Sequence, residues 1–203
     1  VHEVSVVVAY HSGFGHTARQ AAAVAAGVGT VAGAAAVLRD VATLDDELWR
    51  DLATADAIVF GSPTYMGSPT AAFQAFAEAS SKVWAELGWK DKVAAGFTNS
   101  AGVNGDKLHT LQRFAVLAAQ HGMHWVNLGL PPGWLYSAAG TADDLNRLGG
   151  FLGAMAHSPS DAGPDIAPTE ADLRTARHLG QRVAEVAGQL ARGRHGQPAA
   201  VIG

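Results

Sequence analysis

A doubly wound α/β fold, with a parallel sheet covered by helices on both faces, is predicted by three observations. Short apolar, β-branched runs alternate with longer segments of helical periodicity, the pattern of successive β-α units. Three polar loops rich in glycine and serine, near residues 11–17, 62–67 and 98–106, each follow such a run, so all three leave the carboxyl edge of one sheet. The chain of 203 residues is 48% apolar and 16% charged, enough for one core, and shows neither an internal repeat nor a linker.

The first strand is the buried run Val4, Val6, Val7 and Val8. It leads into His11-Ser12-Gly13-Phe14-Gly15-His16-Thr17, after which Thr17, Ala21, Val24 and Val28 recur at helical spacing. A turn between a strand's carboxyl end and a helix's amino end suits an anion. The first-turn N–H groups have no intrahelical partner, and the helix dipole adds partial positive charge without a lysine.

Residues 30–38 are expected to form the second strand and 45–52 a short helix. Ala57, Ile58, Val59 and Phe60 form the third strand, expected to stop at Gly61-Ser62-Pro63 because proline interrupts regular structure. Ser68 then reads as an N-cap with Pro69 at the first helical position, and Phe73, Phe76, Val83, Trp84 and Leu87 as one continuous apolar stripe. Residues 93–97 are the fourth strand and run into the Thr98–Asp106 loop. A helix with Leu108, Leu111, Ala115 and Ala118 at core spacing follows and stops at His121-Gly122.

Residues 125–130 read as the fifth strand. Pro131-Pro132-Gly133 opens an extended insertion or flap over 131–168, too long for an idle connection. The last helix starts at Thr169 or Glu170 and carries Leu173, Ala176, Gly180, Val183, Ala187 and Leu190, with Thr169 and Asp172 spaced as a capping box. Residues 1–191 are thus expected to form one domain, with 192–203 a flexible tail.

Composition narrows the chemistry. The absence of cysteine excludes thiolate catalysis, Cys-ligated metal centres and disulfides, and is compatible with a reducing cytoplasm, where we expect the protein. A net charge of −4 offers nucleic acid no basic footprint, and no apolar run is long enough for membrane insertion. His121 and His124 are separated by a helix stop with no carboxylate close in sequence, so no metal is expected.

Two readings of the first loop compete. Gly13-Phe14-Gly15-His16-Thr17-Ala18 satisfies the dinucleotide fingerprint, with Asp40 placed to serve as a ribose-binding acid. Against it, Ser12 and Thr17 bracket the glycines with hydroxyls, which suits a phosphate monoester needing many donors. Ser12 also has a plain structural reading, as a cap on the turn.

The first loop, together with Pro63-Thr64-Tyr65-Met66-Gly67, the 98–106 loop, His121-Gly122-Met123 and Pro168-Thr169-Glu170, resembles the flavodoxin-like FMN proteins, and most closely the tryptophan-repressor-binding protein (WrbA) family of NAD(P)H:quinone oxidoreductases. The resemblance implies a five-stranded sheet in the order 2-1-3-4-5. It also implies that Ser12, Gly13, Phe14, Gly15, His16 and Thr17 hold the FMN phosphate. Pro63, Thr64, Tyr65, Met66 and Gly67 would flank the isoalloxazine. Ser100, Ala101, Gly102, Val103, Asn104, Gly105 and Asp106, with His121, would meet its pyrimidine side, and Trp84 would form an aromatic wall near the substrate. His121 and Tyr65 are the candidate catalytic residues.

NADH or NADPH as donor, a small-molecule quinone as acceptor, and self-association as a dimer or tetramer are further implications. Hydride transfer to FMN followed by two-electron reduction of the quinone at the same face gives ping-pong kinetics. The 134–163 segment follows the family pattern loosely, and Met66 stands where an aromatic is expected. For His121 the alternative is a helix-terminal histidine satisfying carbonyls. A one-electron carrier serving protein partners would use the same FMN loops, as would a regulatory flavin-binding module without turnover.

Overall fold

The computed structural model describes residues 3–196. Strand β1 (Val4–Tyr10) is paired in parallel with β2 (Ala34–Asp40) on one side and with the central β3 (Ala57–Tyr65) on the other. β3 pairs in parallel with β5 (Val93–Ser100), giving the order β2-β1-β3-β5 and then the far edge. Helices α1 (His16–Val28) and α6 (Glu170–Gly196) cover one face. Helices α2 (Asp46–Thr54), α3 (Ala71–Ala79) and α5 (Lys107–Gln120) cover the other.

The alternation of β1 builds both cores at once: Val4, Val6 and Val8 face α1 and α6, while Val7 and Ala9 face the aromatic cluster of Phe60, Phe73, Phe76, Trp89 and Phe114. α1 and α6 approach very closely. A Cβ on Gly27 would lie 1.9 Å from the Arg177 carbonyl, and one on Gly180 1.9 Å from the Val24 carbonyl, so each helix offers a glycine to the other's backbone.

Several expectations are corrected. The fifth sheet position is shared by two short strands, each parallel to β5. β6 (His124–Trp125) pairs with its lower half, and β7 (Ala154–His157) with its upper half. The 131–168 segment is therefore a detour that returns a strand to the sheet, rather than a flap outside it. β3 continues through Pro63 to Tyr65, because its β1 side ends at Gly61 and a proline N–H is not needed there.

The residues expected to open a helix, Ser68-Pro69, instead form β4 (Ser68–Pro69), antiparallel to Thr64-Tyr65. Met66 and Gly67 make the hairpin turn at φ +49° and +78°, both positive as a type I′ turn requires. The N-cap is Thr70, whose hydroxyl accepts from Phe73 N–H. The apolar stripe expected over 73–87 is broken at Ser80, where α3 gives way to the short α4 (Ser81–Ala85), and it leaves Trp84 and Leu87 exposed.

Along α5 the buried positions are Lys107, Thr110, Leu111, Phe114 and Ala118, with Leu108 half exposed. Asp172 does not cap α6: its carboxylate takes Arg147 and the His157 N–H. α6 continues to Gly196, so the tail expected from 192 is helical over its first five residues; 197–203 lie outside the described residues. Among the described residues no helix is long and apolar enough to cross a membrane.

Candidate functional site

The parallel strands bring their carboxyl ends together at one edge, where a cleft of about 460 Å³ opens. Its walls are Phe14, His16 and Thr17 from the β1–α1 turn, Pro63 and Tyr65 from β3, and Asn99 and Ala101 from β5 and the loop after it. Residues 158–164, the segment between β7 and α6, close the remaining side. This size lies within the range of small-molecule sites.

The turn is a cradle of backbone. Gly15 occupies the N-cap of α1 at φ +89°, and a Cβ on it would touch the Pro164 ring at 3.0 Å. A Cβ on Gly13 would lie 2.5 Å from the Tyr65 hydroxyl. Ser12 Oγ accepts from the N–H groups of Gly15 (3.1 Å) and Ala18 (3.2 Å), so the hydroxyl does cap the turn, and its own proton is left to donate. Thr17 is buried beneath the turn. His16 Nε2–H donates to the Ala162 carbonyl at 2.8 Å, and Arg19 to the Pro164 carbonyl at 2.5 Å, tying the 158–164 segment across the helix start.

Among the described residues no lysine or arginine lines the cleft. An anion seated here would be held by N–H groups, hydroxyls and the helix dipole.

Beyond the turn the walls are aromatic. Phe14 and Tyr65 meet edge to face at 6.3 Å and both remain exposed, with Met66 fully exposed at the hairpin tip. Desolvation raises the Tyr65 phenol above its ordinary value, so it is a neutral donor at physiological pH. The glycine cradle, the cleft lining without lysine or arginine and the aromatic walls fit a flat ring carrying a phosphate monoester, as FMN does.

Other expected residues are placed differently. The side chain of Thr64 points into the protein, bonded to Thr98 Oγ1 and Thr110 Oγ1 at 2.8 Å each, so this hydroxyl braces β3 against β5 and α5. Of the 100–106 loop, Ala101 lines the cleft, whereas Val103 and Asn104 line a second cavity against 148–155. Gly105 and Asp106 both take positive φ, folding the loop back toward α5. Gly67 carries the hairpin turn, and its carbonyl accepts from His109 Nδ1–H.

His121 and Trp84 are not at the cleft. His121 lies at the carboxyl end of α5, whose 14 residues put it roughly 20 Å from the loop at the helix's start. There the helix ends as expected, with Gly122 at φ +68° and Met123 N–H donating to the Ala118 carbonyl at 2.9 Å. Ser80 Oγ donates to the Ala77 carbonyl (2.7 Å) and therefore accepts from His121 Nε2–H (2.9 Å). Nδ1 is buried with no hydrogen-bond partner among the described residues. The ring stacks near Trp89, and desolvation lowers its pKa from the ordinary 6.5. His121 and Trp84 line a cavity between α3, α4 and α5, so within one chain neither side chain is brought to the cleft.

Residues 158–164 were read only as part of the 131–168 insertion, which could wall a pocket, and Lys107 escaped the sequence reading. The first is a run of Ser, Pro, Asp and Gly that reads only as loop. The second is a lysine, ordinarily a surface residue, here with no exposed surface.

A family profile described as NADPH-dependent FMN reductase matches residues 46–130. The chain is 44% identical to Flavodoxin FldP of Pseudomonas aeruginosa (strain UCBPP-PA14), over 91% of this chain and 97% of that protein. It is 33% identical to an NAD(P)H dehydrogenase (quinone) of Geobacter sulfurreducens, over 92% and 99%. Among solved structures, a flavodoxin, WrbA-like protein from Agrobacterium tumefaciens superposes with a TM-score of 0.73 at 43% identity, covering 92% of this chain and 98% of that one. Near-complete coverage at these identities extends the likeness from the cleft to the whole fold, and the chain belongs to the WrbA-like family of flavodoxin-fold FMN proteins.

Proposed function

We propose that the protein passes two electrons from NAD(P)H through bound FMN to a quinone. One observation carries this reading: the phosphate-type turn, the Phe14–Tyr65 walls and the end of β5 converge on one cleft whose aromatic rim is open to a second planar molecule. Relatives bearing the name NAD(P)H dehydrogenase (quinone) along nearly their whole length support the donor and acceptor.

In this reading Ser12, Thr17 and the N–H groups of the 13–17 turn other than that of Gly15 hold the phosphate, while Pro63 and Tyr65 flank the ring. FMN supplies reversible two-electron chemistry once bound. The chain's own work is orientation, exclusion of water by Phe14 and Tyr65, and hydrogen bonding from the Ala101 end of the 100–106 loop to the ring edge where negative charge develops. No nucleophile is required. Trp84, exposed on its own subunit and remote from the cleft, would reach a substrate only across a subunit boundary, which favours a dimer or tetramer.

The test is anaerobic. The FMN-reconstituted protein is mixed with NADPH or NADH and then with benzoquinone; rapid bleaching of the flavin band followed by its full return is expected. Absence of a flavin spectrum after reconstitution sinks the proposal.

A second reading, a one-electron carrier, is favoured by the flavodoxin name of the 44% identical relative. It requires slow bleaching by NADPH and a spectrally distinct one-electron stage on chemical titration.

A further inference from the structure

The most unusual buried group in the molecule is Lys107, the first residue of α5, with no solvent-exposed surface. Its Nζ donates to the Gly102 and Val103 carbonyls, the latter at 3.1 Å. A trans peptide points its C=O and N–H in opposite directions. Drawing these two carbonyls inward therefore turns the Val103 and Asn104 N–H groups away from the lysine, on the outward side of the loop. The positive φ of Gly105 and Asp106 permits that fold-back.

The charge around Lys107 is unbalanced. Asp172 on α6 attracts it and Arg147 repels it. Asp172, though, is already engaged by Arg147 through a bidentate pair at 2.7 and 2.8 Å, and by the His157 N–H at 2.9 Å. The group Lys107, Arg147 and Asp172 thus holds a net single positive charge in buried surroundings, where an uncompensated charge is costly. His157, on β7, whose backbone N–H meets Asp172, and Asp106, beside Lys107 in the chain, are further titratable residues close to this group. Ala101, next to Gly102, lines the cleft.

Building on the assignment of FMN to the cleft, we propose that Lys107 is a positioning residue for the cofactor. Its ammonium fixes the 102–104 peptides beside Ala101, the residue through which this loop reaches the cleft, and its charge favours reduced FMN over oxidised FMN. Reduction adds two electrons and one proton and leaves one negative charge on the ring, the counter-charge this pocket lacks. Burial lowers the lysine to about 8. A negative ring would raise it again. Above pH 8 the oxidised protein would lose this proton while the reduced protein keeps it, so reduction would take up one proton more and the potential would fall more steeply with pH.

The experiment uses the full chain reconstituted with FMN, as wild type, Lys107→Met and Lys107→Gln. Dissociation constants for oxidised and dithionite-reduced FMN are measured together with the two-electron potential from pH 6.5 to 9.5. Both variants are expected to lose about tenfold in affinity for reduced relative to oxidised FMN, equal to about 30 mV for a two-electron couple. The wild type alone should show the steeper slope above pH 8. Equal losses for both forms would reduce Lys107 to a structural prop, and a wild-type potential with no change of slope would overturn the proposal even if neither variant folds. A wild type that binds no FMN defeats the cofactor assignment itself, a result distinct from either.

Discussion

Replacing Gly180 with alanine sets two effects against each other. Alanine is favoured over glycine inside a helix by about 1 kcal/mol, so on propensity alone the change stabilises α6. At this position, however, the new methyl carbon would sit 1.9 Å from the Val24 carbonyl oxygen, about 1.5 Å short of ordinary contact. The obstacle is backbone and cannot rotate away. α1 and α6 must separate, and overpacking of this kind costs about 1–3 kcal/mol or more.

With a backbone obstacle the upper part of that range applies, about 2–3 kcal/mol, so the net expectation is a loss of roughly 1–2 kcal/mol, or about 2–8 °C in Tm for a chain of this size. Because α1 begins at the cleft's glycine cradle, FMN affinity should fall as well. Gly27→Ala, which meets the Arg177 carbonyl at the same distance, should behave alike. Thermal unfolding of apo-protein followed by circular dichroism, with FMN titration by fluorescence, tests both. An alanine variant at either site that is as stable as the wild type would show that the helices are not held at this separation.

Three further outcomes are expected. Thr17→Val should weaken FMN binding by roughly 1–3 kcal/mol, the cost of an unmet hydrogen bond to a charged group, with riboflavin binding unchanged; titration with both ligands separates the phosphate from the ring. The native pKa of His121 lies below its unfolded value of 6.5, so the unfolded chain binds more protons in that window and stability falls as pH drops below 6.5. His121→Phe, which retains the stack on Trp89, should flatten this acid limb in denaturant midpoints measured from pH 5 to 7.5. Arg147→Met should destabilise by about 3–5 kcal/mol by leaving the buried Asp172 without its bidentate ion pair, whereas the double variant Arg147→Met/Asp172→Leu should recover much of that loss in urea unfolding.

Local patterns determined much of this protein. Period-two and period-3.6 spacing located the central strands and both outer helices, since burial on a sheet face or helix stripe is written every second or every third to fourth residue. The Gly122 helix stop and the glycine turn at 13–15 were legible because positive φ or close backbone approach selects glycine. The turn proposed to hold the phosphate was readable for the same reason: its donors are backbone atoms in sequence order.

Tertiary structure decided what depends on partners distant in sequence. Whether Pro63 ends β3 depended on which neighbour still pairs there, and the fifth sheet position was filled from two segments nearly thirty residues apart. The Ser68-Pro69 helix start gave way to a hairpin whose turn at Met66-Gly67 has a non-glycine residue at positive φ. Residue type alone could not tell that the Thr64 hydroxyl faces Thr98 and Thr110, that the 158–164 segment crosses the cleft, or that His121 sits a helix length away from it. Lys107 is the sharpest case, because a lysine reads as surface until two carbonyls from its own preceding loop close over it.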